Sequence, residues 1–516
     1  MLRYVIVICL TLICSVHSLN AQSKKKNGDF YYKIKTYDRA IREFKRELKK
    51  KPGDIKILHK IVNSYLSSNL DKSKAFPYAS QLLQRDSTAI NMLNYGKVLF
   101  YSHDYNYALE LLDKVKKNAG EESEEIDEAN KYINWIINAQ AYEAKPVDVS
   151  FVNLGKKINT SKNELNPMIS GDDKLLVYSN NKRYHSHIAI YYYNINVSHN
   201  ENLKWLKPKT IGSTINSGYD EIVSGLTQDG SRLFVYHNRD WVEQIGFSDY
   251  SGNYKFSRLE PFDKGWNKKK GTFGVWQSSS QDTLLFVGET ERGDTDIFYM
   301  LRLPNGEYGE ARSIVGGVNS EAEENFPVLS SDGNRLYFSS NNSASMGGFD
   351  LFYSDWNAEK QEWGNPVNLG YPINDVYDNY TIAHNKSSRY AYVAAIRPEG
   401  YGERDIYKVI YNEEAPSDII LKCDTRLQTD SGKIIPPFRL RAELSDSVSG
   451  SLMGEYTTSL DSSKFVLVVE PGNYEVKFYQ EETMLFSTYI SIPELWFGNT
   501  PYRRTFIIPS PIKEED

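Results

Sequence analysis

A short motif, an aspartate followed by an aliphatic and then an aromatic residue, recurs along the middle of this chain. Its clearest copies are Asp296-Ile297-Phe298-Tyr299, Asp350-Leu351-Phe352-Tyr353 and Asp405-Ile406-Tyr407. Aligning the apolar run before each copy gives five equivalent positions: Leu175, Leu233, Leu284, Leu336 and Tyr390. A repeat of roughly 50 to 60 residues made of short apolar runs is typical of a β-propeller. The repeat therefore predicts a ring of antiparallel sheets over residues 147–412.

A polar turn precedes the aligned apolar run in every copy. The five turns are Asp172-Asp173, Asp229-Gly230, Gln281-Asp282, Asp332-Gly333 and Lys386-Ser387. Asp-Gly between two apolar runs indicates a β-hairpin, because glycine accepts a positive φ. The runs that follow are apolar on both faces, so we expect them to lie deep in each sheet.

A second pattern, an apolar residue, glycine and then asparagine, ends several units. It is found from Ile211 to Asn216, Val315 to Asn319 and Leu369 to Asn374. The pattern also occurs at Leu154-Gly155 to Asn159, before the first complete unit, whereas the fifth unit stops after Ile410 without it. We therefore expect the stretch near Leu154 to pair with the one near Val409 and to close a five-bladed ring without free edges. Six blades would need a further unit between Asp249 and Gly271.

The recurrent aspartates Asp296, Asp350 and Asp405 favour a structural role over a catalytic one. A carboxylate at a strand start can accept hydrogen bonds from loop amides in every unit, whereas a catalytic site uses each residue once. His185 and His187 lack an evident third ligand for zinc. No nucleophile elbow, P-loop or dinucleotide motif is present. We expect no enzyme activity, no metal and no cofactor.

Residues 22–146 have helical periodicity with the spacing of tetratricopeptide (TPR) repeats. The first copy is marked by Gly28, Tyr31, Tyr37, Ala40, Phe44 and Pro52, and the second by Gly96, Leu99, Tyr105, Ala108 and Leu112. A last helix from Glu124 to Glu143 would cap the stack. The spacing predicts an α-solenoid whose groove holds another protein through Tyr32, Lys97 and Tyr101; a simple helical bundle is the alternative.

The first 21 residues have the pattern of a signal peptide, with a short basic start, an apolar stretch and a small-residue site for cleavage between Ala21 and Gln22. A membrane anchor and lipidation at Cys14 are the alternatives. Cleavage would leave Cys423 as the one cysteine, without an intramolecular disulfide. Export predicts a periplasmic protein that reaches the outer membrane only through partners. A net charge of -6 argues against nucleic-acid binding.

Residues 416–510 alternate between apolar and polar positions and predict a small β-sandwich, with 511–516 as a charged tail. The predicted strands are Ile419 to Cys423, Phe438 to Leu444, Phe465 to Val469, Tyr474 to Tyr479 and Thr488 to Ile492. The sandwich resembles the carboxypeptidase regulatory-like fold. The chain is thus expected to be a multidomain α plus all-β protein.

The order of these modules, from signal peptide through TPR helices and TolB-like propeller (PD40 type) to regulatory-like sandwich, resembles the PorE family of the type IX secretion machinery. The resemblance implies a periplasmic scaffold that binds envelope or outer-membrane secretion proteins. Family members also carry an OmpA-like peptidoglycan-binding domain, but this sequence stops at Asp516 after the sandwich. Direct cell-wall contact is therefore not expected: a partner supplies the anchor, or the chain is a shortened relative with another task.

The alternative function is binding of a glycan or peptide in the propeller channel. Four tryptophans are available to stack on such a ligand: Trp241, Trp276, Trp356 and Trp363. A hydrolase, the third possibility, would need a nucleophile that the sequence does not offer.

Overall fold

The computed structural model describes residues 26–120, 123–186, 189–201, 204–239, 242–262, 273–412, 419–429, 431–435, 439–459, 463–470, 472–492 and 502–510. The predicted signal peptide, with Ala21 and Gln22, lies outside the described residues. The chain divides into two units. The first contains the helices and the sheets up to Tyr411, and the second contains the sheets that follow Asn412.

The described residues before Val149 form seven α-helices. They are α1 (Gly28–Lys33), α2 (Tyr37–Lys50), α3 (Ile55–Leu66), α4 (Phe76–Arg85), α5 (Ala89–Tyr101), α6 (Tyr105–Asn118) and α7 (Glu124–Glu143), with a 3-10 helix at Lys72–Ala75. Asp54 and Asp104 start α3 and α6 by accepting hydrogen bonds from the first-turn N–H groups. The predicted last helix is confirmed with its bounds.

Two glycines allow neighbouring helices to pack closely. A Cβ on Gly28 would lie 2.4 Å from the Phe44 ring of α2, and one on Gly96 would lie 3.0 Å from Leu112 of α6. The TPR-like spacing in the sequence contains the same glycines, Gly28 and Gly96, together with the residues that they contact, Phe44 and Leu112. Each glycine therefore leaves room for a large side chain of the next helix.

Five antiparallel sheets follow among the described residues of the first unit, after strand β1 (Val149–Asn153). Sheet 1 contains β2 (Glu164–Ile169), β3 (Leu175–His185), β4 (Ile190–Glu201), β5 (Lys204–Trp205) and β6 (Lys209–Thr210). Sheet 2 contains β7 (Glu221–Leu226), β8 (Arg232–Arg239), β9 (Val242–Gly252), β10 (Lys255–Phe256) and β11 (Glu260–Pro261). Sheet 3 contains β12 (Val275–Gln277), β13 (Thr283–Glu289), β14 (Thr295–Leu301) and β15 (Arg312–Ser313).

Sheet 4 contains β16 (Glu324–Leu329), β17 (Arg335–Ser340), β18 (Asp350–Asn357), β19 (Glu362–Trp363) and β20 (Val367–Asn368). Sheet 5 contains β21 (Ile382–His384), β22 (Tyr390–Ala395), β23 (Asp405–Tyr411) and, on its outer edge, β1. The aligned apolar runs of the sequence are the second strands, β3, β8, β13, β17 and β22. Their central residues are buried because each second strand lies between two others and is covered on both faces.

The sheets follow one another in a propeller-like ring. Strand β2 packs against β7, β7 against β12, and β12 against β16. Sheets 4 and 5 share a hydrophobic core that includes Tyr337, Leu351 and Ile382. Strand β2 also packs against β21 and β22, so sheet 5 lies beside sheet 1.

The ring is closed by strand pairing between its two ends. Strand β1 pairs antiparallel with β23, with Phe151 opposite Val409. The predicted pairing of the stretches near Leu154 and Val409 is therefore confirmed. Because β1 caps the outer edge of β23, sheet 5 has the same number of strands as sheet 3.

The asparagines of the second sequence pattern join sheets 1, 2, 4 and 5 each to the sheet before it in the ring. Asn159 accepts a hydrogen bond from Ile406 N at 2.8 Å and donates one to Ile406 O at 3.0 Å. Asn216, Asn319 and Asn374 make the same pair of bonds with Ile195, Ile297 and Leu351. Each side chain thus pairs with the N–H of a third-strand residue and adds a second donor to its carbonyl, which also accepts a backbone N–H.

The second unit is a β-sandwich. Its strands are β24 (Ile419–Gln428), β25 (Ile434–Ile435), β26 (Arg441–Asp446), β27 (Leu452–Thr457), β28 (Lys464–Val469), β29 (Gly472–Gln480), β30 (Thr483–Ile492) and β31 (Tyr502–Pro509). Strands β25 and β28 pair with one side of β24 and β31 with the other, whereas the second sheet has the order β27, β26, β29, β30. Cys423, Phe465, Phe478 and Phe506 lie in the core between the sheets. The predicted start at Phe438 lies outside the described residues.

Candidate interaction surfaces

Tyr101, one of the two groove residues predicted on α5, is covered by the chain's own loops. The ring of Tyr101 stacks on Tyr377, which lies in the loop between sheets 4 and 5, with ring centroids 5.3 Å apart and planes at 28°. Tyr377 Oη donates a hydrogen bond of 2.9 Å to Asp71 Oδ1, in the loop before α4. Tyr101 is therefore buried, and the prediction that it contacts another protein is wrong for this structure.

Lys97 is also buried, one turn before Tyr101 on α5. Its Nζ forms an ion pair of 2.5 Å with Glu128 Oε2 of α7. Burial lowers the pKa of Lys97 and the neighbouring Glu128 raises it, with a net decrease. Lys97 thus pairs inside the helical array, which corrects its predicted role in partner binding.

Tyr32, the third predicted groove residue, is half-buried and packs within the helices. Its ring makes an edge contact with Tyr37 at 5.8 Å and a tilted contact with Phe44 at 6.3 Å. Tyr32 of α1 therefore belongs to an aromatic cluster that packs α1 against α2.

Helix α7 holds a second contact with the ring, at the loop between β17 and β18. Asn138 Nδ2 donates hydrogen bonds of 2.8 Å to the carbonyl oxygens of Ser343 and Ser345. Asn134 and Tyr142 donate to the carbonyls of Ser343 and Ala344. One helix face therefore satisfies the exposed backbone of this loop.

The start of α2 holds a third contact, at the loop between β3 and β4. Thr36 Oγ1 donates a hydrogen bond of 2.9 Å to Ala189 O, and the guanidinium of Arg39 lies 3.8 Å from the centre of the Tyr184 ring. Because the three contacts reach sheets 1, 4 and 5, the helices lie over these sheets.

The recurrent aspartates lie at the starts of third strands, where Asp350 and Asp405 are buried and hold loop backbone, whereas Asp296 is partly exposed. Asp350 Oδ2 accepts hydrogen bonds from Met346 N at 2.8 Å and Asn368 Nδ2 at 2.7 Å. Asp405 Oδ2 accepts from Tyr401 N at 2.6 Å and from an asparagine of β1. Asp296 lies 3.6 Å from Arg292 in an ion pair. Burial raises the pKa of Asp350 well above its usual value.

A further repeated acid was missed from the sequence although a signal was present. A glutamate follows three of the joining asparagines after four intervening residues, in Asn159 to Glu164, Asn216 to Glu221 and Asn319 to Glu324. Each carboxylate accepts hydrogen bonds from the N–H and hydroxyl of the Thr or Ser next to the asparagine. Burial raises the pKa of Glu164 and of Glu324 to about 7.

The central channel contains a cavity of about 40 Å³, lined by first strands of all five sheets. One water needs about 10 to 15 Å³ of such space, so this cavity holds about three waters and is too small for a sugar ring. Packing is tight around it, since a Cβ on Gly225 would lie 1.8 Å from the carbonyl oxygen of Val275.

Hydrogen bonds cross one end of the channel. They join the turns that connect the first and second strands of different sheets. Gly171 N donates to Gln228 O, Gln228 Nε2 to Ser331 Oγ, Ser331 Oγ to Lys386 O, and Lys386 N to Gly171 O. These bonds link sheets 1, 2, 4 and 5. The alternative of a glycan or peptide inside this part of the channel is therefore not supported.

The tryptophans considered for ligand stacking occupy different places. Trp276 lines the cavity, whereas Trp356 and Trp363 form an edge-to-face pair with centroids 5.2 Å apart at β18 and β19. Trp241 lies outside the described residues, as does His187 of the candidate zinc pair. Within the described ranges no cluster of His, Cys, Asp and Glu side chains could hold a metal ion, and no helix is long and apolar enough to span a membrane.

No protein-family model and no curated protein matches this sequence. Among solved structures, the chain is similar to BT0996 in its RGII complex, with a TM-score of 0.34 and 10% identity over 53% of this chain and 95% of that one. It is also similar to a putative TolB from Agrobacterium tumefaciens, with a TM-score of 0.30 and 12% identity over 62% and 97% of the two chains. For the nidogen/laminin complex the TM-score is 0.28, with 11% identity over 48% and 84%. Because all three TM-scores are below 0.5, the fold description rests on the strand pairings given above.

Proposed function

We propose that this chain is a non-enzymatic scaffold that binds other proteins in a cell-envelope assembly, on the periplasmic side of type IX secretion. We further propose that its helices are TPR-like and that its ring is a five-bladed propeller. One observation carries the proposal. The helical array and the ring interlock through Tyr377, the α7 asparagines and Arg39, and so form one preformed body from two kinds of interaction module.

A preformed body suits a scaffold because binding orders few additional groups, and the ordering of side chains and loops is a major cost of association. The repeated acids support the same proposal. Asp350 and Asp405 accept hydrogen bonds from loop amides, and Glu164 and Glu324 from the adjacent hydroxyl and N–H groups. These carboxylates therefore hold loops in place.

A surface aromatic cluster on the helices replaces the predicted groove as the proposed partner site. Phe76 and Tyr107 are 41% and 38% exposed and flank the buried Tyr95, with ring centroids 5.7 and 5.8 Å from it. Aromatic residues are over-represented among the side chains that dominate binding energy in protein interfaces. We propose that envelope or outer-membrane secretion proteins dock here.

Affinity purification of the tagged chain from envelope fractions of its native host tests the proposal. We expect secretion or outer-membrane proteins to co-purify, and the double variant Phe76→Ala/Tyr107→Ala to lose them. Ile137→Ala removes an exposed apolar side chain (55% exposed) from α7 and serves as the control. A preparation free of partners would contradict the scaffold function. Equal recovery of partners with the double variant and with the control would contradict the proposed docking site.

A further inference from the structure

The outer face of one sandwich sheet combines cations with exposed aliphatic side chains. Strand β24 alternates strictly: Leu421, Cys423, Thr425 and Leu427 face the core, so the residues between them face outward. We call the outward residues of β24, β25, β28 and β31 the basic sheet face. Its members are Lys422, Asp424, Arg426, Gln428, Ile434, Lys464, Val466, Val468, Arg503, Thr505, Ile507 and Pro509.

Strand register places the cations and the aliphatic residues side by side. Lys422 lies opposite Val466 on one neighbouring strand and opposite Arg503 on the other. Arg426 lies opposite Ile507. Directly paired side chains on one face are close enough to act together, so the two kinds of side chain form one mixed surface.

The aliphatic members are unusually open to solvent for a small sandwich. Ile434, Val466, Val468 and Ile507 are 55%, 46%, 53% and 57% exposed. An antiparallel sheet normally presents polar residues on its solvated face. These four side chains therefore indicate a surface that contacts something other than water.

The charge on this face is positive although the chain is acidic overall. Four cations, Lys422, Arg426, Lys464 and Arg503, stand against Asp424, which pairs with Lys464 at 3.9 Å. Glu470, just past the end of β28, is a second acid. The face thus carries a net charge of about +2, and because charges are screened beyond about 10 Å at moderate salt, this local charge governs what binds there.

We propose that the basic sheet face binds the anionic headgroups of a lipid membrane surface. Cations near an anionic bilayer attract the phosphates while adjacent aliphatic side chains enter the interface. The dimensions favour this occupant over an acidic protein. Three strands about 4.8 Å apart and up to eight residues long cover roughly 380 Å², about half of the roughly 800 Å² per partner of a stable protein interface.

Vesicle flotation with the full chain tests the proposal. We compare phosphatidylcholine vesicles with and without phosphatidylglycerol. Each cation near an anionic surface strengthens binding about five-fold, so a net charge of +2 predicts roughly 30-fold preference for the anionic vesicles, decreasing at high salt. Lys422→Glu/Arg426→Glu reverses the sign of the face and should abolish this preference.

A matched control keeps the net charge of the variant but changes another surface. Lys116→Glu/Lys117→Glu alters two exposed lysines of α6 and should bind like the unchanged protein. If charge reversal disturbs folding, the neutral variant Lys422→Gln/Arg426→Gln, checked by circular dichroism, replaces it. This variant brings the net charge of the face to about zero and should likewise remove the preference for anionic vesicles. The proposal is overturned if the unchanged protein does not float with anionic vesicles at low salt, or if the face and control variants bind equally.

Discussion

Replacing Tyr377 by alanine should loosen the helices from the ring of sheets while both stay folded. The change removes the ring that stacks on Tyr101 at 5.3 Å and the hydroxyl that donates to Asp71 at 2.9 Å. Truncating a buried aromatic side chain costs about 3 to 5 kcal/mol. Because Tyr377 is half-buried, we expect the lower end, about 3 kcal/mol. Tyr377→Phe keeps the ring and loses one hydrogen bond to a carboxylate, about 1.5 kcal/mol.

Hydrogen exchange with mass spectrometry measures this loosening locally. Every 1.4 kcal/mol is a factor of ten, so amides in loops 341–349 and 371–380 should exchange about 100-fold faster in Tyr377→Ala and about 10-fold faster in Tyr377→Phe. Amides of β13 should keep their protection. Tyr489→Ala, which removes a 68% exposed tyrosine from the second unit, is the control. Unchanged exchange of both loops in Tyr377→Ala would refute the reasoning.

Three further predictions concern the ring. Asn159→Ala leaves the N–H of Ile406 in β23 without its partner, whereas the Ile406 carbonyl keeps its hydrogen bond from Leu154 N. The free energy of unfolding in urea should therefore fall by about 1 to 3 kcal/mol, as for Asn216→Ala between sheets 1 and 2; an unchanged free energy in Asn159→Ala would contradict closure by β1. Glu164 has a folded pKa of about 7, above its unfolded value, so its contribution to stability is complete at low pH and is lost as pH rises toward 7. Between about pH 4.5 and 7, the decrease in the free energy of unfolding measured with urea should therefore be smaller by about 3 kcal/mol in Glu164→Gln than in the unchanged protein. An equal decrease in both proteins would show that other groups cause it. Gly225→Ala should lower the melting temperature clearly, since an added methyl overpacks the channel wall, whereas Gly218→Ala, with open space around it, should have little effect; equal melting temperatures would show that the wall can relax.

The ring could be predicted from sequence because its signals are local and repeated. Each second strand begins at or next to its aligned residue, and the unpaired pattern at Leu154 indicated where the ring closes. The glutamates five positions beyond the asparagines carried an equally regular signal. They were missed because they lie outside the Asp-aliphatic-aromatic motif, which is the more conspicuous of the two acidic repeats.

The occupied groove could not be predicted in the same way. Spacing places Lys97 and Tyr101 on the inner side of α5, but periodicity does not say what covers that side. The residue that covers Tyr101 is Tyr377, nearly three hundred positions later, in a loop with no repeat of its own. Strand β31 could not be predicted for a similar reason. It pairs in parallel with β24, which is distant in sequence, so no hairpin turn marks the pairing.

The position of β1 has a consequence for how this chain is made. Synthesis proceeds from the N-terminus, so β1 emerges directly after the helices and long before its partner β23. Until the fifth sheet exists, the strand presents unpaired backbone that can recruit other chains. The risk of misassembly is therefore greatest before β1 pairs with β23. Any factor that shields residues 149–153 until then should raise the yield of folded protein.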